Sequence, residues 1–369
     1  MDDNGDDNDD IERIRSTNRE NVERERRNVR EDNINSRRRE LASANRNSRA
    51  NNRNYISPFE GIRADEFGNS SILSYIKNYL IKDEDNIDAF FKIPGALHAL
   101  VGQFTGNDPA RHLLAVECLC NLSLGPPKCC YIITRAAGTY LLTFLDSANI
   151  KIVEVCAWTL GNLSSNTLKI ATLLKTQGFL DKMIPMTHPD KPMDHQHAAF
   201  YALGHFVSAF PKLLSKDEKV RLITSLGKHP THLPDYALKV LFIFSVDTEL
   251  EQNFMELRLY TKVTEQLVDI VKRVDWHVHT VNLDCVVKIL ANLSCQSKIL
   301  EPEISPLLNE DYKFTIVKLL TCRCTDLKLE ACWLFGNILN TAGESSPWKA
   351  KYLSFLEHAQ RSILPTPIL

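Results

Sequence analysis

The chain has 369 residues, 44% of them apolar, with 44 basic against 46 acidic side chains. That balance excludes a globally basic nucleic-acid binder, and the apolar fraction is ample for a folded core. No run of 18 or more apolar residues occurs, so no membrane span is expected. The acidic N-terminus lacks the apolar segment of a secretory signal peptide.

Residues 1–10 hold six aspartates and are expected to be solvated and disordered. Residues 11–55 carry thirteen arginines against seven acids, with no aromatic before Tyr55. One reading is a charged, fluctuating tail; the other is a basic arm that meets an acidic partner surface. Interspersed acids and the missing aromatics argue against nucleic acid. From Pro58 and Gly61 the chain enters SSILSYIKNYLIKDED, which reads as an incomplete first unit capping a longer array.

The most informative stretch is KIVEVCAWTLGNLSS, residues 151–165. On a helix, Ile152, Cys156, Thr159, Leu160 and Leu163 form an apolar stripe. Glu154, Trp158 and Asn162 are spaced four apart on another side. The pattern recurs around Asn121, His205, Asn292 and Asn337. The positions six, three and two before each of these, and one after, are consistently apolar or small. Asn121 to Asn162 is 41 residues, Asn162 to His205 is 43, and Asn292 to Asn337 is 45. The 87-residue gap before Asn292 calls for one weaker copy, placed in DYALKVLFIFSV with Phe244 near the reference position.

Helical repeats of about 40–47 residues belong to armadillo or HEAT arrays, in which stacked units share one core. Gly95, Gly138 and Gly178 each precede an apolar helix and are expected to turn the chain between a short first helix and a second one. Three helices per unit favour armadillo. The fold expected is therefore an all-α armadillo-repeat solenoid of about six repeats plus partial caps. Residues 1–58 form the arm, 59–343 the repeats, and 344–369 a capping helix, WKAKYLSFLEHAQRSIL, with its tail.

CAWTLGNLSS and CWLFGNILN resemble the third helix of importin-α armadillo repeats, with its W-x-x-x-N motif. The resemblance covers about 85–343. NRENVERERRNVREDNINSRRRE (18–40) is similar to that family's importin-β-binding segment. TYLLTFLDSANIKIVEVCAWTLGNL (139–163) looks closest to the transmembrane and coiled-coil domain-containing protein 6 family, a divergent branch of importin-α relatives.

The resemblance implies an adaptor for nuclear protein import, in the cytoplasm and nucleus, with no cofactor. Its partners would be an importin-β-like receptor, held by Arg24, Arg26, Arg27, Arg30, Arg37, Arg38 and Arg39, and basic nuclear-localisation peptides. The peptide would lie in a concave groove lined by Glu117, Asn121, Glu154, Trp158, Asn162, Tyr201, His205, Asn292, Trp333 and Asn337. There Asn side chains would hold the peptide backbone, and Trp rings would flank Lys or Arg stems.

Trp158/Asn162 and Trp333/Asn337 match the motif fully, and Tyr201/His205 partly. Glu117 and Lys288 stand where Trp precedes Asn121 and Asn292, and Lys288 is expected to repel a basic ligand. The alternative is an armadillo scaffold with a degenerate groove and no transport role.

No phosphate loop, nucleophile elbow or H-E-x-x-H occurs, and an enzyme is not expected. The ten cysteines contain no C-x-x-C and read as reduced, mostly buried residues. His195/His197 and His277/His279 read as loop histidines rather than a metal site. Three Asn-Leu-Ser triplets match the glycosylation sequon but fall on repeat helices.

Overall fold

The computed structural model describes residues 57–83, 85–229, 233–273, 280–296, 303–344 and 346–363. The arm arginines, His277 and His279 lie outside them. Among the described residues the regular elements are helices, and no strand occurs. No described helix is long and apolar enough to cross a membrane. The chain divides into two compact units. One comprises residues up to Thr187 with Lys191–Leu213; the other comprises His188–Asp190 and Leu214 onward.

The first unit contains α1 (Ser70–Leu80), α2 (Asp85–Lys92), α3 (Ala96–Gly102), α4 (Pro109–Leu122), α5 (Pro127–Thr143), α6 (Ile150–Ser164), α7 (Leu168–Thr176), α8 (Phe179–Met186) and α9 (Met193–Ala209). Side-chain caps set several starts. Asp108 accepts from the N–H groups of Ala110 and Arg111, with Pro109 in the first turn of α4. Asn149 does the same for Lys151 and Ile152 at α6, and Thr167 for Ile170 at α7.

The patterned helices pack side by side: α1 on α4, α4 on α6, and α6 on α9. Helix α6 is therefore enclosed by neighbours on two flanks. The expected stripe of Ile152, Cys156, Thr159, Leu160 and Leu163 is buried. Val153, Val155, Ala157, Gly161 and Ser164 are buried as well, because the flanking helices cover them. Gly161 permits the approach of α9. A Cβ there would lie 2.9 Å from the Cα of Ala202 and 3.0 Å from the Tyr201 ring.

Gly95 and Gly178 stand at φ 74° and 93°, just before α3 and α8, in the left-handed region where a side chain is strained. Gly138 does not turn the chain. It lies inside the continuous helix α5, so the first and second helices of that repeat are fused. A Cβ at Gly138 would meet the side-chain oxygen of Gln177 at 2.5 Å. The glycine there makes room for Gln177 rather than for a bend.

The second unit contains α10 (Lys216–Gly227), α11 (Asp235–Ser245), α12 (Glu251–Glu256), α13 (Leu259–Lys272), α14 (Thr280–Ser294), α15 (Glu310–Thr321), α16 (Thr325–Thr341) and α17 (Lys349–Ile363). A Ser215/Glu218 capping box opens α10. Helix α11 packs on α14, and α14 on α16. Helix α17 lies against α15 and buries Tyr352, Phe355 and Ala359. Arg258, at φ 51°, makes the turn before α13 that glycines make before α3 and α8.

Gly161 and Gly336 both immediately precede a motif asparagine, yet nothing lies within 4 Å of a Cβ on Gly336. Gly161→Ala is expected to destabilise the first unit by about 1–3 kcal/mol through overpacking. Gly336→Ala should stabilise α16 by about 0.5–1 kcal/mol, as for an unhindered helix-interior glycine. Opposite shifts of the urea midpoint test this pair. Arg258→Gly should raise stability by about 1 kcal/mol by relieving left-handed strain, read from the same unfolding curves.

Candidate functional site

In the first unit the motif residues form a ladder across four parallel-packed helices. Glu117 on α4 accepts from Lys77 Nζ on α1 at 3.0 Å. Asn121, one turn later, donates its Nδ2 to the carbonyl of Lys77 at 3.1 Å. Asn162 on α6 donates Nδ2 to Ser123 Oγ at 3.0 Å, just past the end of α4. Its Oδ1 accepts from the Tyr201 hydroxyl on α9 at 2.6 Å. The Tyr201 and His205 rings lie 4.4 Å apart, centroid to centroid. Each motif asparagine thus reaches back to the helix before it, and Tyr201 reaches back to Asn162.

Glu154, Trp158 and Asn162 are half-buried, between residues of α6 that are fully enclosed. Lys151, one turn earlier, places its ammonium 2.5 Å from Glu154 Oε2 and 5.2 Å from the centre of the Trp158 ring. The first unit therefore brings together Glu117, Asn121, Glu154, Trp158, Asn162, Tyr201 and His205. Among them run an aromatic shelf, amide groups and ion-paired carboxylates.

The second unit holds Asn292, Trp333 and Asn337. Asn292 donates to Ser245 Oγ at 2.8 Å and is 7% exposed. That burial removes it from the surface on which a peptide backbone could be held. Asn337 donates to the carbonyl of Ala291 at 3.0 Å, and Trp333 is half-buried one turn before it. Lys288, expected to repel a basic ligand, forms an ion pair with Asp284 at 2.8 Å, its side chain only 12% exposed. The carboxylate one turn earlier neutralises most of that repulsion. The bond from Asn292 to Ser245 also corrects the register of the weak copy. Ser123 lies two residues after Asn121, so Ser245 puts Ile243 at the reference position. Phe244 is a core residue, 1% exposed.

Cys118 and Cys156 are fully buried, and desolvation pushes both thiols well up from their ordinary range. They are protonated packing groups without thiolate character. Seven of the ten cysteines are buried, as expected; Cys295 is half-buried, and Cys324 and Cys332 are exposed. His195 is half-buried and His197 exposed, both on α9.

Sequence reasoning missed Lys77, Lys151, Ser123 and Ser245. Ser123 was signalled by the recurring Asn-Leu-Ser triplet, whereas Ser245 stands outside one, in Ile243-Phe244-Ser245. At Asn121-Leu122-Ser123 the serine two residues after one motif asparagine accepts from the next. The lysines carried no such mark.

The armadillo/β-catenin-like repeat family profile matches residues 140–165, which include α6. The chain is similar to importin subunit alpha-9 of Arabidopsis thaliana, 22% identical over 255 residues, covering 66% of this chain and 48% of that protein. It thus spans about half the length of this curated relative. Its fold is similar to that of an engineered protein of known crystal structure, at 17% identity and a TM-score of 0.59, covering 73% of this chain and 64% of that one. A designed armadillo repeat protein aligns at 13% identity with a TM-score of 0.44, covering 77% of this chain and all of its own. The described residues thus form an all-helical repeat fold, in which one stretch matches the armadillo repeat model and the chain is weakly similar to importin subunit alpha-9.

Asn162→Ala removes a donor from Ser123 and an acceptor from Tyr201. It should cost about 1–3 kcal/mol of stability, measured by chemical unfolding. An asparagine serving only a ligand would show no such loss.

Proposed function

We propose that this armadillo-repeat protein is a peptide-binding adaptor of the importin-α type, working between cytoplasm and nucleus rather than as an enzyme. Its groove residues would receive an extended basic peptide. Its N-terminal arm, through Arg24, Arg26, Arg27, Arg30 and the Arg37–Arg39 cluster, would engage an importin-β-like receptor. Within that group we place it nearest the transmembrane and coiled-coil domain-containing protein 6 branch, on the stretch 139–163.

One observation carries the groove reading. Trp158, Tyr201 and His205 lie on adjacent helices, half-exposed, beside the Asn162 amide. Rings at this spacing suit the alkyl stems of long side chains, and the amide can supply a further hydrogen bond to a backbone. The similarity to importin subunit alpha-9 supports the choice of class. The second reading, a scaffold outside transport, is favoured by the lysine partners already held by Glu117, Glu154 and Asp284.

Replacing Arg24, Arg26, Arg27 and Arg30 by Ala should abolish retention of importin β in a pull-down, and wild-type retention should fall steeply with salt. Unchanged retention removes the transport reading and leaves the scaffold. For the groove, Trp158→Ala should weaken peptide binding by about 2 kcal/mol, as for an aromatic hot spot. It should cost less stability than a core change such as Phe206→Ala, at about 3–5 kcal/mol.

A further inference from the structure

The groove-side acids share one property. Glu117 pairs with Lys77 at 3.0 Å, Glu154 with Lys151 at 2.5 Å, and Asp284 with Lys288 at 2.8 Å. Each of these three carboxylates already holds a lysine of this chain. Lys151 goes further, because the same ammonium also stands over the Trp158 ring. A basic peptide residue stacked on Trp158 would place its charge at Glu154, and Lys151 fills that place from within its own helix.

We propose that Lys151 is the specificity-determining residue of the Trp158 site, an internal competitor that holds down affinity for Lys/Arg-rich peptides. The inference rests on the proposed peptide groove and deepens it. Two costs fall on an incoming cation. It must displace the Lys151 ammonium from Glu154, and it then shares the site with a second positive charge a few ångströms away. Lys151 is held in place for this role by its backbone, since its N–H is one of the two that donate to the Asn149 cap. Its side chain is about half exposed, so the pair is displaceable and the effect is one of selectivity rather than closure.

The test is fluorescence anisotropy with a labelled octapeptide of alternating Lys and Arg. The protein is the full chain carrying Arg37→Ala, Arg38→Ala and Arg39→Ala, so that the arm's own basic cluster does not compete. Against that background Lys151→Met keeps the apolar stem and removes the charge. It should bind the peptide about 3- to 10-fold tighter at low salt, with the gain shrinking as salt is raised. Adding Trp158→Ala to Lys151→Met should remove the gain. If Trp158→Ala alone weakens binding while Lys151→Met leaves it unchanged or weaker, the groove reading stands and the role given to Lys151 is overturned. If neither substitution alters peptide binding, the groove reading falls and takes this inference with it.

Discussion

The packing of each patterned helix against its predecessor, tied by one asparagine, is the constraint on which both units depend. An armadillo helix cannot bury its apolar face alone, so its stability is inseparable from its neighbours. The apolar contacts are non-directional and would tolerate sliding. The side-chain amide is not so tolerant: Asn121, Asn162, Asn292 and Asn337 each donate to one particular atom on the helix before. Those bonds fix the register, and burial supplies the bulk of the free energy. Where the approach is tightest, between α6 and α9, Gly161 concedes its side chain to let it happen.

This double use of the motif alters its chemistry. An asparagine read as an open hydrogen-bonding group for a ligand has already committed one donor, and at Asn162 the acceptor is shared with Tyr201. What faces outward is chiefly aromatic: Trp158, Tyr201 and, in the second unit, Trp333. The acids beside them are neutralised locally by Lys77, Lys151 and Lys288. On the proposed reading, such a surface would select ligands by shape and stacking before charge.

The fold was legible because burial imposes a period. Cys156, Leu160 and Leu163 had to be apolar, and so did their counterparts some forty residues away, so helix type and repeat could be read without neighbours in view. The site was legible only where it shared that period. The period singles out Trp158 and Asn162 as candidates but not Lys151 and Lys77, because an ion pair leaves no periodic trace. Gly138 was misread, and Phe244 falls one residue from the reference position, for a related reason. A glycine's purpose depends on what approaches it, and a register one residue out changes little in hydropathy along an apolar helix such as α11. Arg258 shows the converse, a left-handed turn built without the residue type that usually marks it.

The direction of the amide bonds has a consequence for how such a chain can grow. Every motif asparagine donates one way, to the patterned helix preceding it, and Tyr201 donates back to Asn162 in the same direction. A repeat is therefore a two-ended part, with a donor at one end and an acceptor, a serine hydroxyl or a helix carbonyl, at the other. Inserting or deleting a whole repeat preserves the links only if the cut leaves both ends intact. A cut between Asn121 and Ser123 would strand Asn162 without its partner, whereas a cut in the loop after Ser123 would not. The natural seam for duplication thus falls just beyond the Asn-Leu-Ser triplet, two residues after the motif that identifies the repeat.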